Sequence, residues 1–191
     1  MDETHSIGVA GATIRDLVNS RNIYDRHFKG RSDDWNRLTV AMDTLGDSSE
    51  ALSDFEEHGF GENTGARYLR FYGTLQAIIL QQDSIIEHHR IFLQASPAVP
   101  SDSAWLELRR LRNLASGHPL NKKGDPIVGE LRTFVNRNQM SPDRVQLLLC
   151  EQRTGATRFE AFELRSLMDR YKVEALVPLN AIIEYVRQRW P

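Results

Sequence analysis

Arg112, Asn113 and His118 have the types and spacing that suit chemistry on a phosphodiester. Arginine carries five donors on a planar head that matches phosphate oxygens. Histidine exchanges a proton near neutral pH. Asparagine can hold a water, a substrate oxygen or the imidazole. Together the three could cleave RNA without a metal. His118 would deprotonate the ribose hydroxyl or protonate the leaving oxygen, and Arg112 would stabilise the charge growing on phosphate.

The three lie in WLELRRLRNLASGHP, from Trp105 to Pro119. Trp105, Leu108, Leu111 or Leu114, and Ala115 recur at helical spacing and are expected to face a core. Arg109, Arg110 and Arg112 crowd the same segment, and Lys122 and Lys123 follow. No acidic residue occurs from Leu108 to Gly124. From this local charge Arg109, Lys122 and Lys123 are candidate RNA contacts. The geometry sets a condition. At 3.6 residues per turn, positions six apart point about 120 degrees away from each other. Arg112 and His118 converge only if the chain leaves regular helix after Ser116, which Gly117 and Pro119 make feasible. The same residues also fit a solvated arginine face with a capped helix exit.

Further helices must position this segment. Residues 4–28 read as a first helix, with a start near Ala12 because Gly8 and Gly11 weaken its beginning. Asp34 to His58 reads as a second, broken around Gly46. The strongest pattern runs from Asn63 or Thr64 to Gln94, a rod of roughly 45 Å. The breaker ASPAVPSDS then leads to Ser101, Asp102 or Ser103 as a cap for the arginine-bearing helix. NKKGDP reads as a loop, and Ile127 to Arg137 as a short helix. Arg144 to Glu151 and Thr157 to Glu163 read as the strands of a β-hairpin turned at QRTGA. A lone hairpin is marginal in water, so it should pack on helices or pair across a dimer. Leu164 to Tyr171 reads as a short helix. A final helix from Val173 to Trp190 would begin in regular form near Pro178. The fold class expected is mainly α. Residues 1–140 form a helical bundle, and residues 141–191 form a hairpin and a C-terminal helix packed on the same domain.

Other chemistries find less support. Glu87, His88 and His89 form a second polar cluster, but adjacent histidines on a helix diverge by about 100 degrees and need a ligand from elsewhere to hold a metal. Gln81, Gln82 and Asp83 could line a groove beside the arginine helix or only the outside of the bundle. GFGENTG lacks the strand-before-helix setting of a phosphate loop, and no nucleophile elbow occurs. Cys150, the one cysteine, sits in VQLLLCE and reads as a packed thiol. No cofactor and no metal are expected.

The chain of 191 residues is long enough for one well-packed domain with a small appendage. Its 40% hydrophobic and 26% charged residues fit a folded protein, not a disordered one. A net charge of -2 excludes a broad histone-like surface but leaves room for one anion-binding groove. The first residues lack the basic and apolar regions of a signal peptide, and no run reaches membrane-helix length, so a cytoplasmic protein without a membrane partner is expected.

The segment RNLASGHP resembles the signature of HEPN-domain proteins. In that family an arginine, usually followed by a polar residue, precedes a histidine by four to six intervening positions. Here Arg112, Asn113 and His118 occupy those places with five residues between the ends. The preceding helix, YLRFYGTLQAIILQQDSII, is also similar to bacterial proteins of this group. The likeness covers Tyr68 to Pro119, and its bundle extends to about Met140. The hairpin and last helix lie outside it. The resemblance implies an HEPN-like helical bundle, a homodimer with the two motifs facing a shared cleft, and a cognate protein partner in some systems. It implies a metal-independent endoribonuclease of toxin–antitoxin, phage-defence or RNA-processing type, with Arg112 and His118 catalytic and Asn113 assisting. Other relatives are non-catalytic modules that bind protein or nucleic acid, so both outcomes stand at this point.

Overall fold

The computed structural model describes residues 6–117, 122–125, 129–151 and 153–191. The protein is mainly helical, with a small antiparallel sheet toward the C-terminus. Helix α1 spans Ile7–Ser20, α2 Ser32–His58, α3 Thr64–Leu93, α4 Ala104–Arg112 and α5 Leu164–Arg189. Two π-helical turns occur, Tyr24–Phe28 between α1 and α2 and Asn113–Gly117 directly after α4. Strands β1 (Lys122–Asp125), β2 (Gly129–Met140), β3 (Val145–Glu151) and β4 (Thr157–Phe162) pair in the order β1-β2-β3-β4.

Helix α1 starts earlier than its glycines suggest. Ser6 caps it, its Oγ accepting from the Val9 amide at 3.1 Å. Gly11 has a packing role: a Cβ there would lie 2.9 Å from Leu45 Cδ2, so the missing side chain lets α1 close on α2. The first helix also ends at Ser20, not at 28. The break expected at Gly46 does not form. The helix runs on through this stretch, and the hydroxyls of Ser48 and Ser49 donate back to the Thr44 and Leu45 carbonyls at 2.6 and 2.7 Å.

Helix α3 begins and ends close to its sequence pattern, with Asn63 as its cap. One face packs on α2, and other residues meet α4 and α5. Helix α5 is continuous through the buried Pro178, which corrects the expected short helix followed by a fresh start. Proline costs the backbone one donor toward residue 174. Packing on α1, α3 and α4 carries the helix through that loss.

The segment read as a helix over 127–137 is β2 where it is described. Leu131 and Thr133 are buried while Arg132 and Phe134 are exposed, a period of two that the short apolar run concealed. Likewise the expected loop NKKGDP contains β1. The expected hairpin is present as β3 and β4, in register from Val145 opposite Phe162 to Cys150 opposite Thr157. Leu131, Val145, Leu147, Leu149 and Phe162 join the same core as the helices, so the sheet lays its inner face on the bundle. Among the described residues, no helix is long and apolar enough to cross a membrane.

Candidate functional site

Helix α4 is fixed at its start before its arginines are placed. Ser103 Oγ accepts from the Leu106 amide at 3.3 Å. From α5, the two Glu174 carboxylate oxygens accept from the Ala104 and Trp105 amides at 3.0 and 2.9 Å. A carboxylate at a helix N-terminus satisfies orphan donors and complements the helix dipole. Trp105, Leu108 and Leu111 then turn one side of α4 into the core. In α3, Gln82 is fully buried and donates to the Trp105 carbonyl at 3.0 Å, which locks the two helices together.

The three arginines on this helix have different surroundings. Arg109 Nε donates to Gln82 Oε1 at 3.0 Å, and its Nη2 ion-pairs with Asp83. Arg110 ion-pairs with Glu160 on β4, with Nη2 2.9 Å from Oε2, and lies over the Phe162 ring. Arg112 meets only neutral oxygens among the described residues: its Nη2 donates to Gln76 Oε1 at 3.1 Å and its Nη1 to Asn113 Oδ1 at 3.2 Å. Its Nε is buried without a partner there. Arg109 and Arg110 are therefore paired with carboxylates, while Arg112 is oriented by amide oxygens and has no carboxylate partner among the described residues.

The chain leaves α-helix at Asn113, three residues before Ser116. A π-turn places residue i+5 near residue i, where an α-helix would carry it past. Gly117 accordingly returns to Arg112: a Cβ on it would lie 3.1 Å from Arg112 Nη1 and 3.4 Å from Asn113 Oδ1. The turn is tied at two further points. Ser116 Oγ donates to the Arg112 carbonyl at 3.2 Å, and Thr133 Oγ1 of β2 donates to the buried Leu114 carbonyl. Arg112, Asn113 and Gly117 are thus brought together. His118 lies outside the described residues. Lys122 and Lys123 open β1.

The second polar cluster has a different role. His88 is fully buried, with its Nδ1 2.8 Å from the Ser84 carbonyl. Burial pushes its pKa down to about 4, against the opposing pull of the Ser84 bond and Glu87; Arg15 adds to the lowering. His89 instead turns its Nδ1 to the Ala95 carbonyl at 2.8 Å. Among the described residues no group of three His, Cys, Asp or Glu is placed to hold a metal. Gln82 and Asp83 line the seam beside the arginine helix, and Gln81 donates to Ser49 Oγ on α2.

Gln76, Glu174 and Thr133 were not singled out by sequence reasoning, and nothing in the sequence pointed to Glu160 as the partner of Arg110. Each lies more than 15 residues from the group it bonds, and none belongs to a motif. The one local signal was that Gln76 and Gln82 interrupt an apolar helix at positions six apart.

No family model matches the chain, and no curated protein or solved structure matches it.

Proposed function

We propose that this protein is a metal-independent endoribonuclease of HEPN type. The observation that carries the reading is the state of Arg112: held by two amide oxygens, unneutralised among the described residues, and closed over by Gly117, after which His118 follows in sequence. A guanidinium held in this way is ready for a phosphate, because binding breaks no ion pair.

The reaction needs only groups that the substrate and this segment supply. The ribose 2′-hydroxyl attacks the adjacent phosphorus, and the bond from phosphorus to the 5′ oxygen breaks. One proton leaves the attacking hydroxyl and one reaches the leaving oxygen. The products are a 2′,3′-cyclic phosphate and a 5′-hydroxyl. Arg112 stabilises the charge on the non-bridging oxygens, His118 exchanges a proton, and Asn113 holds Arg112 in place. Lys122 and Lys123 serve as phosphate contacts further along the strand. Arg109, already engaged by Asp83, fixes α4 and contributes little directly.

An HEPN-like homodimer fits the surface beside the site. On α3, Leu69, Tyr72 and Leu80 are exposed on a stripe that includes Gln76, and a Cβ on Gly73 would meet open space. A second copy laid on this stripe would bring its own Arg112 toward the first.

RNA of mixed sequence, incubated with the protein in excess EDTA, should yield fragments ending in cyclic phosphate. Intact RNA across a broad panel favours the other reading, a non-catalytic HEPN-like module in which Arg112 braces the end of α4. The half-burial of Arg112 and its two internal bonds are what that reading would rest on.

A further inference from the structure

The outer face of the sheet carries an aromatic row. Phe134 on β2 pairs with Leu148 on β3, and Leu148 pairs with Phe159 on β4. The three side chains stand side by side on one face, because strand neighbours in register point the same way. Phe134 is 52% exposed and Phe159 62%. Thr133 beside Phe134, and Leu147 and Leu149 beside Leu148, turn inward and are buried, as does Phe162 farther along β4. Two strand spacings separate the rings, roughly 10 Å.

The inner face of the same strands holds the arginine helix. Thr133, next to Phe134, bonds the Leu114 carbonyl in the π-turn, and Glu160, next to Phe159, pairs with Arg110. The aromatic row is therefore linked, through one sheet thickness, to the segment that carries Arg112.

Size indicates what covers the row. Three outward side chains on each of three strands cover roughly 300 Å². That is far below the ~800 Å² per partner of a stable interface between two proteins. It suffices for a pair of nucleobases, whose faces stack on aromatic rings.

We propose that this face is a stacking platform for the unpaired bases of single-stranded RNA, with Phe134 and Phe159 as the two stacking rings and Leu148 as the floor between them. The proposal deepens the ribonuclease reading and rests on it: the substrate is single-stranded and is held on the sheet while another part of the strand meets Arg112.

The test is fluorescence anisotropy of a labelled single-stranded 2′-O-methyl RNA, which cannot be cleaved because its attacking hydroxyl is blocked. Phe134→Ala and Phe159→Ala should each weaken binding roughly five- to a hundredfold, and a duplex of the same sequence should compete poorly. Phe134→Trp and Phe159→Trp should bind as well as wild type. Phe134→Leu and Phe159→Leu preserve apolar character and fold but lose the ring, so they should bind as weakly as the alanine variants. Wild-type affinity in the leucine variants overturns stacking. A change of oligomeric mass in these variants without a change in RNA affinity overturns the platform in favour of a contact between copies. RNA cleaved normally by variants that also bind normally sinks the platform and leaves the nuclease intact. RNA bound through the phenylalanines but never cleaved by wild type sinks the nuclease and leaves the platform.

Discussion

Gln76 Oε1 lies 3.1 Å from Nη2 of Arg112 across the α3–α4 seam, and among the described residues no carboxylate joins it there, whereas Arg109 and Arg110 each pair with one. Gln76→Ala should release one side of the guanidinium and lower RNA cleavage about tenfold. Gln76→Glu should lower it further, because a carboxylate would neutralise the charge that phosphate needs. The new pair would change stability by no more than ~1 kcal/mol, as for other partly exposed ion pairs. Rates from single-turnover cleavage, with urea titrations beside them, check both statements. Equal activity in the glutamate variant would show that the charge of Arg112 is not used.

Gly117 separates site from fold. A methyl group there meets Arg112 Nη1 at 3.1 Å and Asn113 Oδ1 at 3.4 Å, both side-chain atoms that can shift. Gly117→Ala should therefore leave stability within about 0.5 kcal/mol while reducing cleavage about tenfold. Unchanged activity, with the fold verified by circular dichroism, would contradict the close approach of Gly117 to Arg112.

Glu174 holds the start of α4 from another helix. Glu174→Ala removes both acceptors and should cost about 2 kcal/mol. Glu174→Gln keeps one oxygen and should cost about half as much. Urea unfolding measures both. A loss confined to activity, with stability intact, would mean that α4 does not depend on this cap.

His88 predicts a stability change in mild acid. Burial, its largest cause, lowers the folded pKa to about 4 from the ordinary 6.5. Nδ1–H donates to the Ser84 carbonyl, and among the described residues Nε2 has no partner that could accept from a second N–H. Between these two pKa values the unfolded chain binds the extra proton and the folded chain does not. The contribution is therefore fully present above pH 6.5 and is lost as pH falls toward 4, about 3 kcal/mol in all. Unfolding free energies measured over this range should show that slope, and His88→Gln should flatten it. An identical slope in the variant would assign the effect to other groups.

The legible parts of the fold were those with a long or repeated local signal. Helix α3 declares itself over thirty residues, and the β3–β4 hairpin shows a period of two around a glycine turn. β2 was misread because its Leu131 and Thr133 gain their meaning only from β3 and the π-turn beyond them. The glycines of α1 were read as helix weakeners, whereas Gly11 serves the approach of Leu45 from α2. In the site, Arg112 and Asn113 were visible as types at a spacing. What distinguishes Arg112 from Arg109 and Arg110 was not, because the difference lies in Asp83, Glu160 and Gln76, which reach it through tertiary packing alone.

The central claim is that Arg112 stabilises a phosphate that His118 helps to cleave. Its most direct test is cleavage of mixed-sequence RNA in excess EDTA by wild type, Arg112→Ala, His118→Ala and Arg109→Ala, each verified as folded. Wild type should cut. Arg112→Ala and His118→Ala should lose at least a hundredfold in rate, the scale of removing one charge-stabilising donor. Arg109→Ala should lose far less. Cleavage that survives in Arg112→Ala or His118→Ala, or that Arg109→Ala loses equally, would contradict the assignment.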